Sequence, residues 1–143
     1  MMDRASPENR VCVRIQDESD VVVARRRCRE LAAQQGLSET AAEALATAVT
    51  EIARNIVVHA GSGEIFFAAV VDATRRGVVV TARDTGSGIP DIERAMQDGF
   101  STRSSLGFGL PGARRLVDEF EIESKAGAGT TVTLRKWARA ESQ

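Results

Sequence analysis

The chain has 143 residues, 43% of them hydrophobic and 27% charged, enough for one globular domain with an ordinary core and unlike a disordered segment. Nineteen basic residues meet twenty acidic ones for a net charge of −1, and aromatics make up only 4% with no tyrosine, which argues against a nucleic-acid binder. Cys12 and Cys28 form no metal spacing and suit a reducing compartment, while no apolar run or N-terminal h-region points to a membrane or export; a cytoplasmic location is expected.

Residues 1–9 are polar, carry Pro7 and are expected to be flexible; residues 10–138 read as one domain and 139–143 as a tail. Val11, Val13 and Ile15 alternate with Cys12 and Arg14, the pattern of a half-buried strand. Asp20 is expected to cap a helix that aligns Val21, Ala24, Cys28 and Leu31 and ends at Gly36. Arg25, Arg26, Arg27 and Arg29 share that helix with Glu30, a solvated or protein-facing surface rather than a nucleic-acid stripe. Ser38 opens a second helix, in which Leu45, Val49, Ile52 and Ile56 recur at spacings of four, three and four. Gly61-Ser62-Gly63 breaks it. Strands are predicted over 64–73 and 77–82, joined by a turn through 74–77. Pro90 starts a short helix over 91–98, and the polar, breaker-rich stretch 99–106 is expected to be a mobile loop. A helix through 113–118 and two strands near 120–124 and 130–137 close the chain. This order predicts an α+β fold, a sheet with helices on one face.

Four groups of residues carry candidate chemistry. Glu51, Asn55 and His59 stand at i, i+4 and i+8 on the second helix, beside its apolar stripe. The Asn oxygen is a suitable ligand for Mg²⁺, and the carboxylate one turn away can orient or deprotonate a nucleophile beside a metal-bound phosphate. Asp84-Thr85-Gly86-Ser87-Gly88 follows directly on a strand. An ionised Asp only accepts hydrogen bonds, and the exocyclic amine of adenine is a matching donor; a plain strand-to-loop turn is the other reading. Gly107-Phe108-Gly109-Leu110-Pro111-Gly112 leads into a helix, where backbone N–H groups can bind phosphate oxygens. Gly127-Ala128-Gly129-Thr130-Thr131 is either a hairpin turn or a turn that brings a Thr hydroxyl to the adenine edge.

In their order and spacing, Glu51-x-x-x-Asn55, Asp84-x-Gly86-x-Gly88, Gly107-x-Gly109-x-x-Gly112 and Gly127-x-Gly129-Thr130 resemble the N, G1, G2 and G3 boxes of the GHKL ATPase/kinase superfamily. The resemblance implies the Bergerat ATP-binding fold: a two-layer α/β sandwich with a mixed, mainly antiparallel sheet, holding ATP and Mg²⁺ under a lid at about 99–106. It further implies Glu51 as the catalytic residue and Asn55 as the Mg²⁺ ligand. Asp84 with Thr130 or Thr131 would bind adenine, and Gly86, Gly88, Gly107, Gly109, Leu110 and Gly112 would admit base and phosphates. Arg103, in the lid, is either a γ-phosphate contact or an exposed loop cation. Arg54 and His59 face either the nucleotide or a partner.

A histidine kinase would need an acceptor-bearing helical domain for which this length leaves no room. Glu51 points instead to an oxygen nucleophile. The run Gly107-Phe-Gly-Leu-Pro-Gly-Ala-Arg-Arg-Leu116 and Glu51-Ile-Ala-Arg-Asn-Ile-Val57 are similar to the RsbT-type switch kinases of the stressosome; Phe108 departs from the smaller aliphatic residue expected there. That resemblance implies a serine/threonine kinase acting on STAS-domain scaffold or antagonist proteins and, once released, activating a regulator such as a PP2C-type phosphatase. An anti-sigma-factor kinase that binds a sigma factor is the alternative, and a non-enzymatic binding module of the same fold is the reading from another class.

Overall fold

Among the described residues, alternating apolar residues build one six-stranded sheet, and the apolar stripes of three helices cover one face of it. The computed structural model describes residues 4–5, 10–86, 110–125 and 127–139. In chain order the elements are β1 (Arg4–Ala5), β2 (Val11–Ile15), α1 (Glu18–Gln34), α2 (Glu39–Asn55), a π-helical turn (Ile56–Ala60), β3 (Gly63–Val71), β4 (Arg76–Asp84), α3 (Leu110–Leu116), β5 (Glu119–Lys125) and β6 (Gly129–Trp137). The spatial order is β1-β3-β4-β6-β5, with β2 also pairing along β3. The expected sheet is mixed and mainly antiparallel; every described ladder is antiparallel.

Register sorts the side chains into two faces. One row runs Val13, Ile65, Ala82, Val132, Ile122 and the next Val11, Phe67, Val80, Leu134, Phe120. These rows meet Val21, Ala24, Cys28 and Leu31 of α1, Leu45, Val49 and Ile52 of α2, and Leu110 and Ala113 of α3 in a single core. Side chains of the size of Ile65, Phe67 and Leu45, each fully buried, contribute about 1.5–3 kcal/mol apiece. Burial among these helices pushes the Cys28 thiol up to about 12, which leaves it a small apolar filler.

The helix ends show how local sequence fixes the frame. Asp17, not Asp20, is the N-cap of α1: its carboxylate accepts from the N–H groups of Ser19 and Asp20, while Asp20 accepts from the N–H of Asp17. The helix starts early enough to put Asp20 at the third helical position, completing a capping box. Ser38 caps α2 as expected, accepting from the N–H of Ala41. The pairing of Arg4 and Ala5 with Val71 and Val70 adds a short strand inside the stretch expected to be flexible. No helix among the described residues is long and apolar enough to cross a membrane. The short helix expected at 91–98 and the loop at 99–106 lie outside the described residues.

Candidate nucleotide-binding site

One cross-strand row ends the helix-covered face of the sheet: Ile15, Gly63, Asp84, Thr130, Ser124. Asp84 is the last residue of β4, half-buried, and the N–H of Gly86 donates to its Oδ1 at 2.9 Å. That bond fixes the carboxylate and leaves Oδ2 as the acceptor for an incoming donor. Thr130 stands directly across the ladder from Asp84, and its Oγ1 lies 2.8 Å from Ser124 Oγ, whose hydroxyl also reaches the carbonyl of Gly129 at 3.1 Å. Thr131 opposes Arg83 and Glu123 instead. Strand alternation turns it to the other face, so of the two threonines expected at the adenine edge only Thr130 shares the face of Asp84.

The glycines act through close approach. A Cβ on Gly129, already at φ +92°, would collide with the Asp84 carbonyl oxygen, and one on Gly86 would sit 2.8 Å from the Ala60 Cβ. The loop after Asp84 therefore packs directly on the end of the π-helical turn. Gly112 differs: it lies in α3, and a Cβ there would meet nothing within 4 Å among the described residues. Leu110 opens that helix as a buried core residue. Gly88, Arg103, Gly107 and Gly109 lie outside the described residues.

Glu51 and Asn55 are half-buried on the last turns of α2, and His59 sits on the π-helical turn that follows. In an unbroken α-helix, residues eight apart diverge by roughly 80° around the axis. The wider i→i+5 turn offsets that drift, and its cap N–H, from Gly61, bonds to the Ile56 carbonyl. Asn55 Oδ1 and His59 Nε2 are both buried with no hydrogen-bond partner, and a native fold rarely leaves such atoms unmet without a ligand or water to meet them. Burial holds the His59 imidazole below its ordinary pKa, and the nearby Asp84 carboxylate partly opposes this. Arg54 resolves differently: its Nε reaches Glu18 Oε2 at 3.1 Å on the outer surface, tying α2 to α1.

Sequence reasoning missed Ser124 and Gly63. Ser124 is recognisable only from the register that sets it beside Thr130, whereas Gly63, read as part of a helix breaker, is the β3 residue beside Asp84.

A sheet covered on one face, with a carboxylate, a threonine and unmet polar atoms gathered at one end of that face, defines an ATPase-type nucleotide domain. The chain belongs to the histidine-kinase-like ATPase (GHKL) family, whose domain model matches residues 10–136. It is 46% identical over 128 residues, 90% of this chain and 96% of the relative, to the serine/threonine-protein kinase RsbT of Bacillus subtilis (strain 168). It is also 35% identical to the anti-sigma F factor of Caldanaerobacter subterraneus and 37% to that of Geobacillus stearothermophilus, spanning 66% and 65% of those proteins and 64% and 63% of itself.

Proposed function

We propose that this chain is an ATP-dependent protein serine/threonine kinase of a bacterial partner-switching system, acting in the cytoplasm on STAS-domain scaffold or antagonist proteins. Released from them, it would activate a downstream regulator such as a PP2C-type phosphatase. The observation that carries the reading is the pair of buried, unmet atoms, Asn55 Oδ1 and His59 Nε2, on one continuous helix with Glu51 and against the Asp84 loop. The similarity to RsbT along nearly the whole of both chains supports the kinase class.

Residue roles follow from chemistry. Asp84 Oδ2 accepts the adenine amine, and the Thr130 hydroxyl, buttressed by Ser124, completes that edge. Gly86, with Gly88, Gly107, Gly109 and Gly112, would admit base and phosphates as the family resemblance implies, and Arg103 would be a γ-phosphate contact or an exposed loop cation, while Leu110 is packed into the core. Asn55, whose Oδ1 is buried and unmet, is the fitting protein ligand for Mg²⁺, with phosphates and water completing its shell. Bound Mg²⁺ would neutralise phosphate charge. Glu51 orients the acceptor hydroxyl and takes its proton as the phosphoryl group moves, positioning mattering more than base strength.

The test is transfer from labelled ATP to purified STAS-domain proteins. Wild type should phosphorylate one of them, and Glu51→Gln should bind ATP normally while losing transfer by about 10²–10⁴-fold; a wild-type rate in that variant refutes the assigned role. The similarity to anti-sigma F factors keeps a second reading, in which the second ligand is a sigma factor. A pull-down that recovers a sigma factor and no phosphatase would favour it.

A further inference from the structure

At the site end of the sheet, three neighbouring strands change character on the same rung. On the helix-covered face β4 runs Val80, Ala82, Asp84, β6 runs Leu134, Val132, Thr130, and β5 runs Phe120, Ile122, Ser124. Asp84 and Thr130 have roles in the proposed adenine contact, and Ser124 has none of its own. It is half-buried, and its hydroxyl oxygen lies 3.1 Å from the Gly129 carbonyl oxygen and 2.8 Å from Thr130 Oγ1. A hydroxyl has one proton and two lone pairs, whereas a carbonyl only accepts. Ser124 therefore donates to Gly129, and the shorter contact is donated by Thr130. The Thr130 proton is thus turned along the rung toward β5, away from Asp84 on β4.

We propose that Ser124 is a positioning residue that sets the proton of Thr130, and so makes the site selective for a base with a hydrogen-bond acceptor beside its amine. The inference rests on the adenine reading of this site. In adenine the ring atom next to the exocyclic amine, N1, is an acceptor; in guanine the same atom is a donor. With Asp84 Oδ2 taking the amine, Thr130, its neighbour across the ladder, has to give its proton to N1. That proton is then lost to Ser124. Ser124 makes the exchange possible without a net loss of hydrogen bonds, because it can rotate its own proton from the Gly129 carbonyl to a Thr130 lone pair. Thr130 to Ser124 and Ser124 to Gly129 become Ser124 to Thr130 and Thr130 to N1. Two hydroxyls rotate and no covalent bond changes. The backbone stays fixed meanwhile: a Cβ on Gly129 would collide with the Asp84 carbonyl oxygen, so the start of β6 is held against the end of β4. Selection therefore falls to the side-chain pair.

Calorimetric titration of the full chain with three nucleotides, each with Mg²⁺, tests this. Wild type should bind ATP about 3–10-fold more tightly than 1-deaza-ATP, in which C–H replaces N1, the span of one neutral hydrogen bond. It should also prefer ATP to purine riboside triphosphate, which lacks the amine that Asp84 reads. Ser124→Ala should bring ATP and 1-deaza-ATP within about twofold of each other, as Thr130→Val does, and keep the preference over purine riboside triphosphate. Ser124→Thr, which retains the hydroxyl, should restore the first ratio. Circular dichroism melts establish that each variant is folded. A serine that only staples the β5–β6 hairpin gives a different result: Ser124→Ala then weakens all three nucleotides in step and leaves the ratios unchanged, which overturns the inference. A wild type that discriminates by the amine but not by N1 overturns it alone. A wild type that binds ATP no better than purine riboside triphosphate removes the adenine reading and this inference with it.

Discussion

Because Asp84 Oδ1 already accepts from the Gly86 N–H, the recognition chemistry turns on Oδ2. In Asp84→Asn the amide oxygen would keep the Gly86 bond, which forces the NH₂ group into the Oδ2 position. A donor then meets the adenine amine, itself a donor. An unmade buried hydrogen bond costs about 1–3 kcal/mol, so ATP affinity should fall by up to about 100-fold in calorimetric titration; unchanged affinity would remove the adenine assignment. His59 makes the second prediction. Its folded-state pKa lies below the ordinary 6.5, chiefly through burial, so the folded protein resists protonating a group that the unfolded chain protonates readily. The stability it carries is complete above 6.5 and declines as pH falls below that value, levelling off once the folded imidazole is itself protonated. Urea midpoints measured from neutral pH downward should therefore drop more steeply for wild type than for His59→Gln. Parallel curves would show that His59 is not the group responsible.

The second helix joins the core to the chemistry: Leu45, Val49 and Ile52 are buried while Glu51 and Asn55 are half-exposed toward the site. Its cap lies thirteen residues from Glu51, about 20 Å along the axis. Ser38→Ala should thus destabilise the fold by about 1 kcal/mol in chemical denaturation and leave nucleotide affinity unaltered, separating what the helix holds up from what it presents. This element was legible because its stripe repeats at a helical period and its cap is a serine. The π-helical turn after it was not, since a one-residue change in hydrogen-bond register leaves no compositional mark. The choice between Thr130 and Thr131 was open in the sequence for a related reason: adjacent identical residues carry no phase, and only the pairing of Thr130 with Asp84 says which one faces the helices. Asp20 was mistaken for a cap because in a capping box both acidic residues bond back to the helix start.

At the scale of the whole molecule, the sheet works as a partition. The residues proposed for the nucleotide gather on the face packed by helices, and the opposite face, which carries Arg14, Arg83 and Glu123, lies behind it. Ligand binding should therefore be coupled to global stability but not to the state of the far face. A ligand at about 100 times its dissociation constant, bound only by the folded chain, adds roughly 2.7 kcal/mol. For a domain of this size that corresponds to a rise in Tm of about 5–11 °C. Mg-ATP should produce that rise in the wild-type protein and in a variant reversed on the far face, Arg10→Glu with Arg14→Glu, and should fail to produce it in Asp84→Asn. Calorimetric melts with and without nucleotide measure all three. A shift lost in the arginine variant would mean that the two faces communicate through the sheet, and the partition would have to be abandoned even with the nucleotide site correctly located.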